Sequence, residues 1–269
     1  MNYEYIIVQI ITGSVIGFAI GLTGIGAAVL ILPALIFISK VDPVTAVGTS
    51  MFYALITKSY GVYEHMKLGN VRKRTALYFL IGSIPSILAA SVFINYLNLI
   101  IEKSVFDYWM QTGISIFLVF LCILLLYESS KYVWKMKISH YVPQEVFSLK
   151  RKLRGIFFGV IVGFVIGTTS IGGGILIIPI LTSVFSLSAK NTVGTSIVIS
   201  VGLTLVGSAV YIFYGNINFA VAFLLFLGSL PGVWLGSRMT VHIKPAYLSF
   251  TITIIAIIST LLMFKGIKH

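Results

Sequence analysis

The sequence predicts an all-α integral membrane protein, and three observations support this fold class. Hydrophobic residues make up 58% of the 269 residues and charged residues only 10%, whereas soluble domains carry roughly 25% charged residues. Many apolar runs reach or exceed the roughly 20 residues that a helix needs to cross a bilayer. The glycine, proline and hydroxyl pattern of the first half also returns in the second half. We therefore expect two homologous repeats of four long helices each. The first helix of each repeat is broken into a hairpin-like pair, which gives eight to ten membrane segments.

Charge and residue usage exclude several classes of protein. The net charge of +12 comes from basic residues that fall mostly between the apolar runs, which is typical of cytoplasmic loops and not of a nucleic-acid surface. Cys122 is the only cysteine, and the four histidines are scattered, so we expect no disulfide, no metal site and no cofactor. Acids are missing from the apolar runs, and no histidine sits in the middle of one, so the sequence does not predict an enzyme.

The first repeat, residues 1–128, begins with an apolar stretch from about residue 5 to 39. This stretch is too long for the hydrophobic part of a signal peptide, so we expect it to belong to the mature protein. Asp42 and Pro43 then mark a helix start, as an N-cap and a first helical residue. The remaining predicted spans of this repeat cover residues 43–65, 75–97 and 108–127.

Residues 129–154 form the one long polar segment and contain seven Lys or Arg residues. This composition predicts a cytoplasmic loop, in which Tyr132, Trp134 and Phe147 are compatible with a short interfacial helix. The second repeat, residues 155–269, follows directly, with no sign of a separate soluble domain. Its predicted spans cover residues 155–185, 189–213, 219–237 and 247–264.

A shift of 146 residues aligns the two repeats without a gap from residue 17 to 91. Residues 17–33 (GFAIGLTGIGAAVLILP) then lie over residues 163–179 (GFVIGTTSIGGGILIIP), and the Val-Gly-Thr-Ser of 47–50 lies over that of 193–196. Apolar bias can match Leu, Ile and Val by chance, but it does not bring Gly, Pro and Thr-Ser into register. Duplicated halves are typical of transporters whose site lies where the repeats meet. The alternative is a duplication without a shared site.

The first apolar stretch of each repeat has the wrong length for one straight helix. Residues 5–39 would span roughly 52 Å as one helix, against a hydrocarbon core of about 30 Å. Glycines and hydroxyl residues interrupt the middle of each stretch, which predicts a broken or re-entrant helix. Irregular backbone at membrane depth must lie inside protein or beside a water-filled cavity, and the amides of a returning half-helix there attract anions. The predicted tip residues are Thr23, Gly24 and Gly26 in the first repeat and Thr169, Ser170, Gly172, Gly173 and Gly174 in the second.

Glycines four residues apart, such as Gly13, Gly17 and Gly21, also favour close packing of membrane helices. We interpret these glycines as packing positions and the later ones as the tips. The two interpretations apply to different parts of the same stretch.

Lys58 is the one charged residue in the interior of an apolar span. The basic loop at Lys67 lies nine residues further on, roughly 13 Å along a helix, and the reach of a lysine side chain covers only part of that distance. A charge at this depth predicts contact with an anion or a coupled proton, and the alternative is a lysine that faces water or the interface. Hydroxyl residues recur in both repeats just beyond the tips. They are substrate-binding candidates, with a simple bond to a helix carbonyl as the alternative, and they are Thr49, Ser50, Thr195 and Ser196.

The sequence leaves two topologies open. If each broken segment crosses the membrane once, the repeats are parallel, and if it crosses twice, they are inverted. The loop at 67–74 is basic while its counterpart at 213–220 is neutral, and the loop at 92–98 is neutral while its counterpart at 238–244 is basic. This exchange of charge favours inverted repeats.

Two copies of a G-x3-G-x-[TS]-[GS]-I-G-[AG]-[AG]-x4-P element, each followed by V-G-T-S about 14 residues later, resemble the TauE/SafE sulfite-exporter-like family. The resemblance covers nearly the whole chain. It implies transport of small sulfur-containing anions such as sulfite, or of organosulfonates and related carboxylates. The first copy departs from the glycine-rich form with Ala27 and Ala28, so the two tips need not contribute equally.

Together these features predict a multi-pass protein of the cell membrane. The expected function is secondary transport of a small anion bound between the broken helices, with a proton or another ion as a possible coupling partner. No G-x4-G-K-[ST] element is present, so we do not expect the chain to hydrolyse ATP. The alternatives are an anion channel and a non-transporting membrane subunit.

Overall fold

A computed structural model of the chain describes residues 3–23, 28–134 and 149–240 and six further positions, 254, 257, 258, 260, 261 and 263. Every regular element in this part is a helix, and six of the helices are long and apolar enough to cross a membrane. The predicted all-α membrane fold is therefore confirmed. Of the last predicted span, residues 247–264, only the six separate positions are described, and each is helical.

The helices of the described residues follow the predicted spans closely. The helix over residues 189–213 begins and ends where the sequence predicts. Its counterpart in the first repeat begins at Pro43, where the backbone N–H of Thr45 donates to Asp42 Oδ1 at 3.0 Å, as expected for an N-cap. In chain order the helices are α1 (Tyr3–Thr23), α2 (Ala28–Pro33), α3 (Pro43–Lys67), α4 (Lys73–Ile100), α5 (Lys103–Trp134), α6 (Leu149–Thr169), α7 (Ile177–Ser183), α8 (Ala189–Phe213) and α9 (Phe219–Thr240).

The long apolar stretch of the second repeat is interrupted, because α6 stops at Thr169 and α7 starts only at Ile177. In the first repeat α1 is described to Thr23 and α2 from Ala28, and residues 24–27 lie outside the described part. After Pro33 the first repeat widens into a π-helical segment, Ala34–Ile38, in which the N–H of Ser39 reaches the carbonyl of Ala34. The returning half-helices of the two repeats thus differ in winding.

The polar segment predicted at 129–154 is shorter than expected. Helix α5 continues to Trp134 and α6 already begins at Leu149, so both ends of the predicted loop are helical. Helices can carry Lys and Arg past the apolar core because these side chains reach to the interface, and hydropathy alone therefore ends a helix too early. Residues 135–148 lie outside the described part.

The two repeats exchange helices. A methyl group built on Gly17 of α1 would meet the backbone of Ser229 in α9, and one built on Gly163 of α6 would meet the backbone of Ser83 in α4. These two contacts differ by 146 residues on both sides, with the repeats interchanged. The absence of a side chain lets each pair of backbones approach closely. Successive contacts along each pair rise together in residue number, so α1 runs parallel to α9 and α6 runs parallel to α4.

Helices α3 and α8 pack against each other at the centre of the molecule. Gly48 lies against Tyr211, while Lys58, further along α3, lies against Ser200, further back along α8. The two helices are therefore antiparallel. Their ranges differ by 146 residues at both ends, so they are the same element of the two repeats. Their contacts include Gly48 with Tyr211, Met51 with Gly207 and Lys58 with Ser200.

Candidate functional site

The second hairpin tip is the irregular backbone between α6 and α7. Ser170 has a φ of 57° and Gly172 a φ of 124°. The second value lies in a region that side chains with a Cβ rarely adopt, which accounts for a glycine at this position. A helical turn restarts at once, because the N–H of Leu176 donates to the carbonyl of Gly172 at 3.1 Å. The tip is thus a short irregular segment that separates α6 from the helical turns leading into α7.

The end of α6 is held by side chains from both repeats. The carbonyl of Gly167 accepts from the hydroxyl of Tyr211 at 3.0 Å and from Ser91 Oγ at 3.3 Å. Thr169 Oγ1 donates to the carbonyl of Val165 and accepts from the N–H of Ile171. These bonds satisfy groups that the end of a helix would otherwise leave unpaired. They fix the position of the tip.

Backbone donors are available in the tip. Within the part of the chain that the structure describes, no hydrogen-bond acceptor lies against the N–H groups of Gly173, Gly174 or Ile175. Buried amides normally have a partner. Three successive unpaired amides can donate to an anion, as in the concave nests that bind anions elsewhere.

Lys58 of the first repeat reaches this tip of the second repeat. Its ammonium group donates to Ser200 Oγ at 3.2 Å, and Ser200 Oγ donates in turn to the carbonyl of Gly173. A methyl group on Gly173 would lie 3.0 Å from Lys58 Nζ and 2.6 Å from Ser200 Oγ. The missing side chain of Gly173 is therefore the space that the lysine and the serine occupy.

The Lys58 ammonium keeps donor capacity for a ligand. An ammonium group has three N–H donors, and Ser200 accepts one of them. Among the described residues no carboxylate lies within ion-pair distance of Lys58. The charge is thus close to polar groups but without a counter-charge.

Ser50 joins α3 to the tip at a second point. Its hydroxyl donates to Ser170 Oγ at 2.5 Å, and both side chains are buried. Ser50 and Lys58 are eight residues apart on α3, about 12 Å along the helix axis. The tip is therefore bracketed along this distance by two polar side chains of the other repeat.

The structure brings together six of the predicted site residues, and it places others elsewhere. The six are Ser50, Lys58, Ser170, Gly172, Gly173 and Gly174. Thr49 Oγ1 instead accepts from the N–H of Asn218 at 2.9 Å, and Thr195 Oγ1 from the N–H of Arg72 at 3.0 Å. These two bonds differ by 146 residues with the repeats interchanged, so each threonine holds the start of a helix of the other repeat.

The other predicted residues have local partners or are not described. Ser196 Oγ donates to the carbonyl of Val193 at 2.8 Å in its own helix. Thr169 makes the bonds at the end of α6 given above. Gly24 and Gly26 lie outside the described residues, and Thr23 is described only as the last residue of α1.

Ser200 is the site residue that the sequence reasoning missed. It follows Ser196 by four residues and so lies on the same face of α8. This spacing was the available signal. Its counterpart in the first repeat is Ala54, so a search for residues shared by the repeats passes over it.

Comparison with known proteins gives a consistent result. A family model described as sulfite exporter TauE/SafE matches residues 9–263. Two proteins of Bacillus subtilis strain 168, named probable membrane transporter proteins YjnA and YunE, are 30% and 25% identical to the chain. The alignments cover 94% and 97% of this chain and 97% and 98% of those proteins. A probable membrane transporter protein of Methanocaldococcus jannaschii is 28% identical over 92% of both chains.

No solved structure matches the chain. The family match covers almost the whole sequence, including both copies of the glycine-rich element and the helices that carry Lys58 and Ser200. The chain therefore belongs to the sulfite exporter TauE/SafE family.

Proposed function

We propose that this multi-pass membrane transporter is a secondary carrier of a small anion, bound at the second hairpin tip between the two repeats. The observation that carries the proposal is the contact of Lys58 with Ser200 and, through it, with Gly173. An ammonium group inside the membrane costs free energy unless an opposite charge or polar groups compensate it. An anion that binds beside it would supply the missing counter-charge.

The groups around the tip suit an oxyanion. Lys58 provides charge, the hydroxyls of Ser50, Ser170 and Ser200 provide neutral polar contacts, and the unpaired amides of the tip provide fixed donors. Donors around a small concave space recognise several oxygens of one ligand at once. We infer that the substrate is a sulfur-containing oxyanion such as sulfite, or an organosulfonate, in line with the description of the family.

Inverted repeats are part of this proposal. The antiparallel packing of α3 and α8, which are counterparts in the two repeats, supports them. Two counterparts that pack antiparallel are related by an axis across the helices, which in a membrane protein lies in the plane of the bilayer. Such transporters place the site near the midplane. Lys58 fits this position, because it lies where α3 contacts its counterpart α8, through Ser200.

The arrangement offers a route to alternating access. The tip belongs to the second repeat, while Ser50 and Lys58 belong to α3 of the first. A rocking motion of one repeat against the other would therefore change the contacts on the anion and open the site to one side at a time. A proton or another ion that moves down its own gradient across the membrane could drive this motion.

The purified full-length protein in liposomes tests the proposal. We expect saturable uptake of sulfite or a small organosulfonate that responds to a gradient of protons, of another ion or of substrate. Gly172→Leu should abolish this uptake, because its backbone has a φ of 124° and a methyl group there would already lie 2.9 Å from Leu176. Gly113→Leu is the matched control, because a side chain at Gly113 meets nothing within 4 Å.

The outcomes separate the alternatives. Uptake that never saturates and ignores the gradients would indicate an anion channel. No uptake of any small anion by folded protein would indicate a non-transporting subunit. Uptake that is unchanged by Gly172→Leu would indicate that the anion does not bind at the second tip.

A further inference from the structure

The charge balance of the site is set by one residue. Lys58 is the only charged residue in the interior of an apolar span of the sequence, since Glu64 and Lys190 lie at the ends of theirs. The side chains that the structure places around it or around the tip are hydroxyls, namely Ser50, Ser170 and Ser200. The site without ligand therefore carries one positive charge and no negative charge among the described residues.

Duplication would have given two such charges, but the second repeat lacks the second one. The counterpart of Lys58 is Thr204, which is buried, and its hydroxyl donates to the carbonyl of Ser200 at 2.9 Å. A threonine bonded to its own helix adds no charge. A symmetric transporter core would hold two lysines near the axis, and this one holds a single lysine.

We propose that the site selects anions by charge and takes monovalent oxyanions in preference to divalent ones. The inference rests on the proposed function and adds a substrate class to it. A monovalent anion beside Lys58 leaves the buried site neutral. A divalent anion of the same shape leaves one negative charge unpaired at membrane depth, where an uncompensated charge is heavily penalised. By this rule the site takes bisulfite or a sulfonate and excludes sulfate or the sulfite dianion.

Methanesulfonate and sulfate provide a direct test, because a methyl group replaces one oxygen and the charge changes from −1 to −2. Binding of each to the purified full-length protein is measured by calorimetry or by the ligand-dependent rise in thermal stability. We expect methanesulfonate to bind at least about 100-fold more tightly than sulfate, the ratio that an unpaired buried charge implies. Perchlorate should bind better than sulfate in the same way, and this pair excludes an effect of the methyl group because both ions are tetrahedral oxyanions.

Variants at two positions show whether the selectivity comes from charge. Lys58→Met should remove detectable binding of both anions, because each would then lie at membrane depth without a counter-charge. Lys58→Arg keeps the charge and should keep the ratio. Ser200→Ala removes the hydroxyl that holds Lys58 but leaves the charge, so it should weaken both anions and preserve the preference, a result that a merely structural role of Lys58 would not give.

Each result has a distinct meaning. Equal binding of methanesulfonate and sulfate to the native protein, or unchanged methanesulfonate binding in Lys58→Met, overturns the charge rule and leaves the proposed transport of anions intact. Binding of neither anion by folded protein overturns the proposed site and the charge rule with it.

Discussion

The substitution Gly173→Ala tests the contact on which the proposed site depends. The φ of Gly173 is not in the left-handed region, so alanine is compatible with the backbone and only space is at issue. Its methyl group would lie 2.6 Å from Ser200 Oγ and 3.0 Å from Lys58 Nζ. Carbon and oxygen atoms do not approach to 2.6 Å without displacement, so Ser200 must turn away from the tip.

The cost follows from the bonds that Ser200 makes. Turning Ser200 away removes its bond to the carbonyl of Gly173 and the bond that Lys58 donates to it. A neutral hydrogen bond contributes about 0.5–1.5 kcal/mol and one to a charged group about 1.5–3 kcal/mol. We therefore expect a loss of folding free energy on the order of 2–4 kcal/mol. The affinity for a small anion should fall about 5- to 30-fold if half of that loss bears on the bound state.

A double-mutant cycle with Ser200→Ala measures this cost in the purified protein. Thermal unfolding and anion binding are recorded for the native protein, both single variants and the double variant. In the Ser200→Ala background neither bond remains and no hydroxyl opposes the new methyl group, so Gly173→Ala should then cost almost nothing. This predicts a large non-additive term. Gly113→Ala is the matched control and should be neutral or slightly stabilising, because its surroundings are open and alanine favours the helix.

Additive costs in this cycle would refute the reasoning, because they would mean that Ser200 does not touch Gly173. The same conclusion would follow if Gly173→Ala behaved like Gly113→Ala in both measurements.

Three further predictions concern the exchanged repeats. Leu68→Cys and Tyr214→Cys place thiols at repeat-related positions, and for inverted repeats a membrane-impermeant thiol reagent should label the first variant from the cytoplasmic side only and the second from the other side only. Labelling of both variants from the same side would contradict inversion. The single native cysteine is buried and should stay unlabelled. Thr49→Val and Thr195→Val each leave a backbone N–H of the other repeat unpaired. Each should therefore lower the free energy of unfolding by about 1–3 kcal/mol and leave the anion affinity unchanged. A loss of affinity at constant stability would instead support the binding role expected from the sequence. Gly163→Ala brings a methyl group against the backbone of α4, with 2.9 Å to the nearest Cα, so it should destabilise the protein, whereas an unchanged unfolding temperature would show that the two helices are further apart.

Much of the fold could be predicted because membrane helices obey strong local constraints. Apolar length and glycine position predicted the bounds of α8 and the interruption between Thr169 and Ile177. The winding of the half-helices that follow the breaks could not be predicted in the same way. The π-helical winding after Pro33, for example, depends on how the returning half-helix packs, and nothing in the local sequence distinguishes it from Pro179 in the second repeat.

Only part of the candidate site could be predicted, because residues shared by the two repeats serve two different roles. Residues shared by the two repeats identified the tip and Ser50, but Thr49 and Thr195 proved to hold helix starts of the other repeat. Shared residues report both on binding and on how the repeats hold each other, and the sequence does not separate the two uses. Ser200 was missed because it is not shared.

The unshared residues indicate how an inverted duplication can acquire one site instead of two. In the alignment of the repeats, Lys58 corresponds to Thr204 and Ser200 to Ala54. Both unshared polar residues converge on the second tip, where Gly173 leaves space for them, and the first tip has Ala27 at that position. Had both tips kept a lysine, two like charges would meet near the axis in a medium that screens them poorly. We infer that the asymmetry at these three positions gives one tip the charge and the polar contacts, while the symmetric glycines and threonines hold the two repeats together.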